Sequence, residues 1–571
     1  MGRRISLGLA LPAAVMIACL ACAGNAIAGT SGHDAATSAG KQEMLRVVIL
    51  GLPGRGNALA AAQKIAYPGA RYRKFLTQAE FREQFGAGPK VRQKVLTLRN
   101  KPGVRRVSLN PSQTVALTVM TPAAARRLFC AGPKIPGKPC RPKGYKWAIK
   151  QVSVGEIFPQ GPAPTPPRSA TELTGTPEGC SGAIKSKALT PNQLNTAYEV
   201  DELRSRGLDG SGVRVNTLSS AVVGTSDFKT WANCFNQPLP RVTQFAMPGG
   251  VNATQDDPDE TVLDVEALAA IAPRLEQITP IFVPLDQNFS NSFILFMLGS
   301  LDPSRQGGKL PDILSISDGV CEYRFTKAEK YLGNRLLAEA AALGVTSLSA
   351  SGDLGFQGCE SGKPGTSFPA SSRFVTAVGG TNLTLSQGNE ITVQPVWSTY
   401  ATEPKQGVGS GGGPSHFWPR PPFQTGPGIT PSLQKGSPTR LTPDLGAMAS
   451  FKPGVAVYQE GTGGWGGGGG TSAATPVTAA MVALAVQQEK EAGRPPLGSI
   501  NPLLYSLARG PGYGSIFYDV TVGTASKKPN TPFGKSPAGG AAQPGYDLAT
   551  GLGSLRATAF ADAVAATPPA P

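Results

Sequence analysis

Short apolar runs separated by helical patterns constrain the fold of this chain more than any other feature. Lys327–Ala342, for example, has the apolar spacing of a helix and lies between two such runs. Strands that alternate with helices favour a parallel sheet with helices on both faces. The pattern therefore predicts an α/β fold built on a doubly wound parallel sheet. The runs lie at Val213–Leu218, Ile278–Val283, Ile313–Ile316, Val345–Ser349 and Phe374–Val378.

A candidate nucleophile, Ser472, lies in the run Gly469–Pro476, and an apolar helical stretch follows it with Pro476 expected in the first turn. A serine hydroxyl becomes nucleophilic when a neighbouring base takes its proton, and histidine is the usual base. The chain has two histidines: His33, next to an apparent signal peptide, and His416, in a Gly- and Pro-rich loop. Carboxylates are therefore the main candidates for the base, and a subtilisin-type hydrolase that uses His416 is an alternative.

Two candidate carboxylates, Glu260 and Asp264, lie four residues apart in an acid-capped helical pattern. Residues at this spacing share one face of a helix. In a desolvated cleft such a pair shares a proton, and one of its pKa values rises. The alternative is a solvated acidic first turn that interacts with the helix dipole.

A third candidate carboxylate, Asp353, follows the apolar run Val345–Ser349 within a glycine-flanked turn. Sites in open α/β sheets form at the carboxyl ends of the strands, which is where Asp353 is expected. The alternative is an ordinary turn residue, because Gly-Asp pairs favour turns.

Together these motifs resemble the sedolisin family of serine-carboxyl peptidases. In that family a Glu and an Asp four residues apart, a separate Asp and a Ser in a Gly-Thr-Ser-x-x-x-Pro turn form the site, and their order is the same here. The resemblance implies a subtilisin-like catalytic domain. Further blocks similar to the family are Thr190–Tyr198, Ser315–Gly319, Ser367–Ala370, Val378–Thr381 and Pro443–Leu445.

The resemblance implies a role for each candidate residue. Ser472 would be the nucleophile, Glu260 the general base and Asp264 the group that orients Glu260. Asp353 would be protonated and would donate to the developing oxyanion, a role that suits a neutral carboxylic acid. The implied function is an acid-active serine-carboxyl peptidase that acts on proteins or oligopeptides.

Three departures from the family pattern leave a second alternative open. Asp318, Leu354 and Pro414 stand where other residue types are expected. They are compatible with a catalytically impaired relative that binds peptides without hydrolysing them.

The charge of the chain is divided unevenly along its length. Residues 1–180 contain 26 Lys and Arg against 7 Asp and Glu, whereas the rest contains 28 against 30. A basic excess of this size usually indicates nucleic acid or an anionic membrane. Because a carboxylate-rich segment occurs later in the same chain, we expect an internal partner and no nucleic acid.

The basic part resembles the activation domain that precedes sedolisin catalytic domains, a small α+β prodomain that acts as an intramolecular inhibitor. We call residues 29–157 the leader. We expect it to dock by charge on the face around residues 256–264 and to leave that face in acid. A Pro-rich linker and processing region is predicted at residues 158–184, and the peptidase domain at residues 185–571.

Residues 1–28 have the character of a signal peptide. Met1–Arg4 is basic, an apolar stretch follows, and the segment ends at Ala26–Ala28, an A-x-A-like cleavage signature. Secretion to the periplasm or the medium is therefore expected. No later apolar run is long enough for a membrane span, and a monomer is expected.

The six cysteines that remain after residue 28 are even in number and suit disulfide bonds. Six cysteines allow fifteen pairings. Sequential pairing, Cys130 with Cys140, Cys180 with Cys234 and Cys321 with Cys359, is our prediction. A zinc site is disfavoured because C-x-x-C pairs are absent and histidine is scarce.

Two segments near the end of the chain are similar to the calcium loop of the family. The match implies one Ca²⁺ ion held by the carboxylates of Asp519 and Asp547 and by the carbonyls of Val520, Gln543 and Gly545. Oxygen ligands of this kind suit calcium. The alternative is two aspartates that cap ordinary turns.

Overall fold

The computed structural model describes residues 45–130, 140–155, 174–219, 221–248, 258–284, 289–356, 365–402, 407–429, 438–525, 532–533, 536–538 and 540–570. The predicted signal peptide, residues 158–173 of the predicted linker, His33 and Cys359 lie outside these residues.

The described part of the leader is an α+β unit with its own apolar core. Its antiparallel sheet has the strand order β2-β3-β1-β4. Two helices, rather than one, cover Phe81, Phe85 and Val91, because Gly86 ends the first and Pro89 begins the second. The elements are β1 (Arg46–Gly51), α1 (Ala58–Ala66), α2 (Gln78–Phe85), α3 (Pro89–Leu96), β2 (Val104–Leu109), β3 (Val115–Met120), α4 (Pro122–Phe129) and β4 (Gln151–Gly155).

The rest of the chain is built around a parallel sheet with helices on both faces. Its helices are α5 (Ser181–Ser186), α6 (Pro191–Ala197), α7 (Asp201–Ser205), α8 (Thr225–Cys234), α9 (Pro258–Ile271), α10 (Ser290–Ser300), α11 (Lys327–Ala342), α12 (Gly470–Glu491), α13 (Asn501–Arg509), α14 (Tyr513–Ile516) and α15 (Ala557–Ala565). Its strands are β5 (Arg214–Ser219), β6 (Phe245–Ala246), β7 (Gln277–Phe282), β8 (Ile313–Ile316), β9 (Val320–Cys321), β10 (Thr346–Ala350), β11 (Ser367–Phe368), β12 (Val375–Thr381), β13 (Thr384–Leu385), β14 (Ile391–Val393), β15 (Gly413–Pro419), β16 (Thr439–Thr442), β17 (Leu445–Met448), β18 (Val455–Gln459), β19 (Gly464–Gly468), β20 (Phe517–Tyr518), β21 (Pro532–Phe533), β22 (Ser536–Ala538) and β23 (Ser554–Leu555).

The main sheet confirms the predicted fold class. Among the described residues it has the order β17-β12-β10-β8-β5-β7-β6, and every pair is parallel. The predicted apolar runs form β5, β7, β8, β10 and β12, since strands covered on both faces are apolar along their length. Helix α11 has the bounds that its apolar spacing predicts, and a Thr326–Glu329 capping box begins it.

Two pairs of helices cover the two faces of this sheet. Helices α9 and α12 pack together on one face, and α10 and α11 pack together on the other. The carboxyl ends of β8 and β10 therefore lie between the amino ends of α9 and α12. This edge of the sheet is where the candidate carboxylates and the serine meet.

The main described contacts of the leader lie on the α10–α11 face, opposite α9, the helix that carries Glu260. Helix α1 and strand β4 pack against α11, and apolar side chains of the leader share one core with α10 and α11. Arg73 also contacts Glu489 near the end of α12. Docking by charge around residues 256–264 stays a prediction. Residues 251–257 lie outside the described part of the chain.

Two of the three predicted disulfides are confirmed, Cys130–Cys140 and Cys180–Cys234. Cys321 is also disulfide-bonded. Its predicted partner, Cys359, lies outside the described residues.

A buried ion pair joins β16 to the turn that precedes β17. Arg440 Nη2 contacts Asp444 Oδ2, and both side chains are fully buried. The amide of Ala377 and the hydroxyl of Tyr505 also donate to this carboxylate, at 2.8 and 2.9 Å. The carboxylate thus connects β12, β16 and α13.

We expect Asp444→Ala to lower the free energy of unfolding by about 3–5 kcal/mol, because it leaves the Arg440 charge buried without a counter-ion. The exposed pair Arg206–Glu202 has the same four-residue spacing, so Glu202→Ala is the matched control, with an expected change of about 0–1 kcal/mol. Urea unfolding of both variants measures the difference. Equal losses would contradict this account of the Arg440–Asp444 pair.

Candidate active site

Ser472 lies in the first turn of α12 and is partly exposed. The helix begins at Gly470, which has φ +80°, and a Cβ atom there would lie 2.6 Å from Asp353 Oδ2. A side chain at this position is therefore excluded both by the left-handed backbone and by the carboxyl group. Ser472 Oγ donates a hydrogen bond to the carbonyl of Ser317, at 3.1 Å.

Pro476 was expected in the first turn, but it lies deeper, at the seventh residue of α12. Proline has no amide hydrogen, so the carbonyl four residues earlier, that of Ser472, lacks its helical donor. Ser317 Oγ lies 3.3 Å from this carbonyl. Ser317 therefore contacts the nucleophile's residue through both its backbone carbonyl and its side chain.

Glu260 and Asp264 lie on the same face of α9, as predicted. Asp264 is fully buried, and its Oδ1 accepts a hydrogen bond from Ser317 Oγ at 2.5 Å. Asp264 Oδ2 and Glu260 Oε1 are buried without a hydrogen-bond partner. Two unsatisfied carboxyl oxygens on one helix face are best accommodated by a proton held between the groups.

Burial is the main electrostatic influence on this pair. It raises the pKa of Glu260 well above its usual range, the charges of Asp264 and Asp318 raise it further, and a hydrogen bond with Ser472 lowers it. Burial also raises the pKa of Asp264 well above its usual range, while the bond from Ser317 lowers it. The pair therefore retains a proton at pH values where an exposed carboxyl group is ionised.

Asp353 follows β10 and contacts the start of α12. Its Oδ1 accepts hydrogen bonds from the amide and the hydroxyl of Thr471, at 2.9 and 2.7 Å. Burial raises the pKa of this carboxyl group, although the two bonds from Thr471 lower it. Because Oδ1 accepts both bonds, a proton belongs on Oδ2, the atom that faces Gly470.

The structure thus brings Glu260, Asp264, Asp353 and Ser472 together at one edge of the sheet. Sequence patterns assign no role to Ser317 or Thr471. Ser317 lies in a block similar to the family and Thr471 in the serine motif, but only the folded chain shows which carboxyl group each hydroxyl contacts. Asp318, noted as a departure, adds a fourth negative charge beside the pair.

His416 lies on β15, and its side chain is exposed. Its backbone amide donates to Glu322, whose carboxyl group also accepts from Ser415. The groups that shift the pKa values of Glu260, Asp264 and Asp353 do not include His416. This arrangement favours the carboxylates over His416 as partners of Ser472.

Comparison with known proteins agrees with this arrangement. Residues 300–497 match the model of the subtilase family. Kumamolisin from Bacillus sp. (strain MN-32) is 33% identical over 386 residues, which cover 66% of this chain and 64% of kumamolisin. Human tripeptidyl-peptidase 1 is 33% identical over 263 residues, 43% of this chain and 42% of that protein. These similarities in sequence and fold support the sedolisin family for this chain.

A solved structure supports the fold. Pseudomonas sedolisin, a serine-carboxyl proteinase complexed with two molecules of pseudo-iodotyrostatin, superimposes with a TM-score of 0.55 at 22% identity. The match covers 66% of this chain and 98% of that structure. The chain spans less than two thirds of the length of kumamolisin and of human tripeptidyl-peptidase 1.

The predicted calcium ligands lie in one region. The amide of Gly545 lies 2.9 and 3.1 Å from the two carboxyl oxygens of Asp519. Burial is the main cause that raises the pKa of Asp547 to about 7, and the charge of Asp519 contributes. The carboxyl group of Asp547 accepts hydrogen bonds from the amides of Ala549 and Thr550 and from the hydroxyl of Thr550, as in an ordinary turn. No hydrogen bond within the described residues is donated to the carbonyls of Val520, Gln543 or Gly545. The two carboxyl groups and three carbonyls are oxygen donors of the type that calcium takes. No group of three or more His, Cys, Asp or Glu side chains is suited to a metal in the described part of the chain.

The raised pKa values predict that the Glu260–Asp264 pair destabilises the fold at neutral pH. A group whose folded-state pKa is raised contributes its stability below the unfolded-state pKa and loses it as the pH rises through the folded-state value. We expect Glu260→Gln with Asp264→Asn to raise the melting temperature by about 2 °C or more at pH 7, since one pKa unit is about 1.4 kcal/mol. At pH 4 the gain should be smaller. Calorimetry at both pH values, with the exposed Glu202→Gln as control, tests this, and a gain that is larger at pH 4 would contradict it.

Proposed function

We propose that this protein is an acid-active serine-carboxyl peptidase that hydrolyses peptide bonds in proteins or oligopeptides through a serine acyl-enzyme. The observation that supports this most is the contact set around Ser472. The serine lies beside a carboxyl pair with raised pKa values, and a third protonatable carboxyl group, Asp353, faces the start of its helix. Among the described residues, the groups that shift the pKa values of these carboxyl groups do not include His416.

The first half of the reaction forms the acyl-enzyme. Glu260 accepts the proton of Ser472 Oγ as this oxygen attacks the carbonyl carbon of the peptide bond. Asp353 donates from Oδ2 to the oxyanion of the tetrahedral intermediate. The carbon–nitrogen bond then breaks, and the leaving amine takes the proton from Glu260.

The second half releases the product and restores the enzyme. Glu260 accepts a proton from water as the water oxygen attacks the acyl carbon, and Asp353 donates again to the oxyanion. The bond to Ser472 Oγ breaks, and Glu260 returns the proton to the serine. Asp264 orients Glu260 throughout, and Ser317 holds Asp264 and contacts the Ser472 residue.

We further propose that the chain is made as a secreted monomeric proenzyme with the leader as its inhibitor. The disulfides are compatible with export to an oxidising compartment. None of the helices in the described ranges is both long and apolar enough to cross a membrane. Asp519, Val520, Gln543, Gly545 and Asp547 would hold one Ca²⁺, which would cross-link the segments around residues 519 and 545.

Ser472→Ala should abolish hydrolysis of a denatured protein substrate and leave the fold intact, because it removes the nucleophile. Glu260→Gln should reduce kcat by about 10²–10⁴-fold, as expected for a lost general base. His416→Ala is the control and should retain normal rates. Loss of activity in His416→Ala would favour the histidine-dependent hydrolase, and an inactive wild-type enzyme that still binds peptides would favour the impaired relative.

Asp353→Asn separates the oxyanion role from other roles. Asparagine donates a hydrogen bond at every pH, whereas Asp353 donates only while protonated, so wild-type activity should fall as the pH rises through the raised pKa of Asp353. We expect the variant to have a lower kcat but to lose this alkaline limb. Profiles of kcat from pH 3 to 8 compare it with wild type, and an unchanged alkaline limb would contradict the assignment.

Asp519→Ala, or a chelator added to the wild type, should lower the melting temperature in calcium-containing buffer. Binding to the folded state at about 100 times Kd stabilises by about 2.7 kcal/mol. The exposed Asp562→Ala is the control. Identical melting temperatures with and without chelator would contradict the calcium site.

A further inference from the structure

One buried side chain of the leader, that of Arg73, makes several polar contacts with the rest of the chain. Arg73 has φ +57° and is almost fully buried. Its Nη1 lies 2.7 Å from Glu489 Oε2, as an ion pair rather than an aligned hydrogen bond. Its remaining nitrogens donate to the carbonyls of Pro495 and Pro496. Arg73 is thus inserted into a site that the other part of the chain supplies.

The residues after Arg73 continue the contact. Phe75 packs over Gly344 and Gly498, where a Cβ atom would lie 3.1 and 2.6 Å from its ring. The amide of Leu76 donates to the carbonyl of Ala342 at 2.9 Å. We call this stretch, residues 73–76, the anchor segment.

The anchor segment lies far from the candidate active site. Glu489 is on the same helix as Ser472 but near its other end, about 25 Å away at 1.5 Å per residue. The anchor segment therefore does not contact the candidate catalytic groups.

A second buried contact involves a carboxyl group of α11. Glu339 is fully buried, and its Oε2 accepts from Thr114 of the leader at 3.2 Å. Glu339 Oε1 and Ser112 Oγ are both buried, and neither has a hydrogen-bond partner in good geometry. Ser112 is nevertheless close enough to Glu339 to lower the pKa of the Glu339 carboxyl group. A proton on Oε1 would satisfy both atoms.

The surroundings of Glu339 determine how this contact depends on pH. Burial raises its pKa to about 7, and the charge of Arg335 and the hydroxyls of Ser112 and Thr114 lower it. Arg335 is the charged group among these influences, and it donates to the carbonyl of Leu52 in the leader. In the released catalytic part, Glu339 would be exposed and would return toward its ordinary value of 4.5. Glu339 therefore binds its proton more tightly when the leader is bound than when it is released. As a result, binding of the leader strengthens as the pH falls from about 7 to about 4.5.

We propose that the leader remains bound as a noncovalent partner in mildly acidic solution after the chain between the two parts is cut, held by the Arg73 anchor and the Glu339 contact. The shared apolar core on the α10–α11 face supports this, because acid does not weaken apolar contacts. This proposal depends on the proposed function only in assuming that the protein is made as a proenzyme and that the chain is cut. Release in acid then requires digestion of the leader rather than loss of charge attraction.

The test uses the full chain with Ser472→Ala, so that the leader is not digested, and a specific protease site inserted between residues 155 and 174. After cleavage, analytical ultracentrifugation of a dilution series gives the Kd of the leader at pH 7 and 5.5, in low salt and in 1 M salt. We expect the leader to stay bound, with an affinity about tenfold higher at pH 5.5 and nearly unchanged by salt. Release at pH 5.5, or an affinity that falls between pH 7 and 5.5, would overturn the proposal without bearing on the peptidase chemistry.

Variants separate the two contacts. Arg73→Ala should raise Kd by about 100-fold or more, as for a buried anchor residue, whereas its exposed neighbour Lys74→Ala should not. Glu339→Gln should reduce the pH dependence to less than about twofold, with the exposed Glu83→Gln as control. If Arg73→Ala fails to fold, Arg73→Lys replaces it, with an intermediate Kd expected. The proposal would be overturned if the Arg73 variant had the same Kd as Lys74→Ala. It would also be overturned if the Kd of Glu339→Gln depended on pH as strongly as that of the parent protein.

Discussion

The burial of carboxyl groups is the physical constraint on which this structure depends most. Asp264 is fully buried, Glu260 and Asp353 are partly buried, and desolvation is the largest influence on the pKa of each. An ionised carboxylate in such a place is unfavourable unless donors surround it. Here the donors are few hydroxyls and amides, so the groups keep protons that exposed carboxyl groups lose. In the mechanism that we propose, both the base and the acid that the serine needs are carboxyl groups.

The geometry that makes this burial possible comes from the parallel sheet. Strands β8 and β10 end beside each other, and the turns that follow them present Ser317 and Asp353 at the same edge. Helices α9 and α12 pack together on one face, which brings Glu260 and Ser472 to that edge. Pro476 adds a local feature, because it leaves the carbonyl of Ser472 without a helical donor and within reach of Ser317.

A carboxyl group is also buried on the opposite face of the sheet, where it contacts the leader. Glu339 is buried between α11 and the leader, so its protonation is coupled to the seating of the leader and not to chemistry. The positive charge of the leader suggested attraction to the carboxylates near the active site, yet the described contacts are mainly apolar, with one deeply buried arginine. Net charge describes long-range attraction, whereas the docking face is selected by shape and by apolar area.

The sequence by itself determined the elements and the chemical groups of the site. Apolar runs and helical spacing predicted five of the seven described strands of the main sheet and the bounds of α11, because these patterns reflect burial that is local in the chain. The spacing of Glu260 and Asp264 and the motif around Ser472 identified the candidate groups. Only the tertiary structure decided that Ser317 and Thr471 hold the carboxyl groups, that Pro476 lies inside α12, and that the leader packs on α10 and α11. These features depend on contacts between residues distant in sequence, and neither periodicity nor net charge specifies which distant surfaces meet.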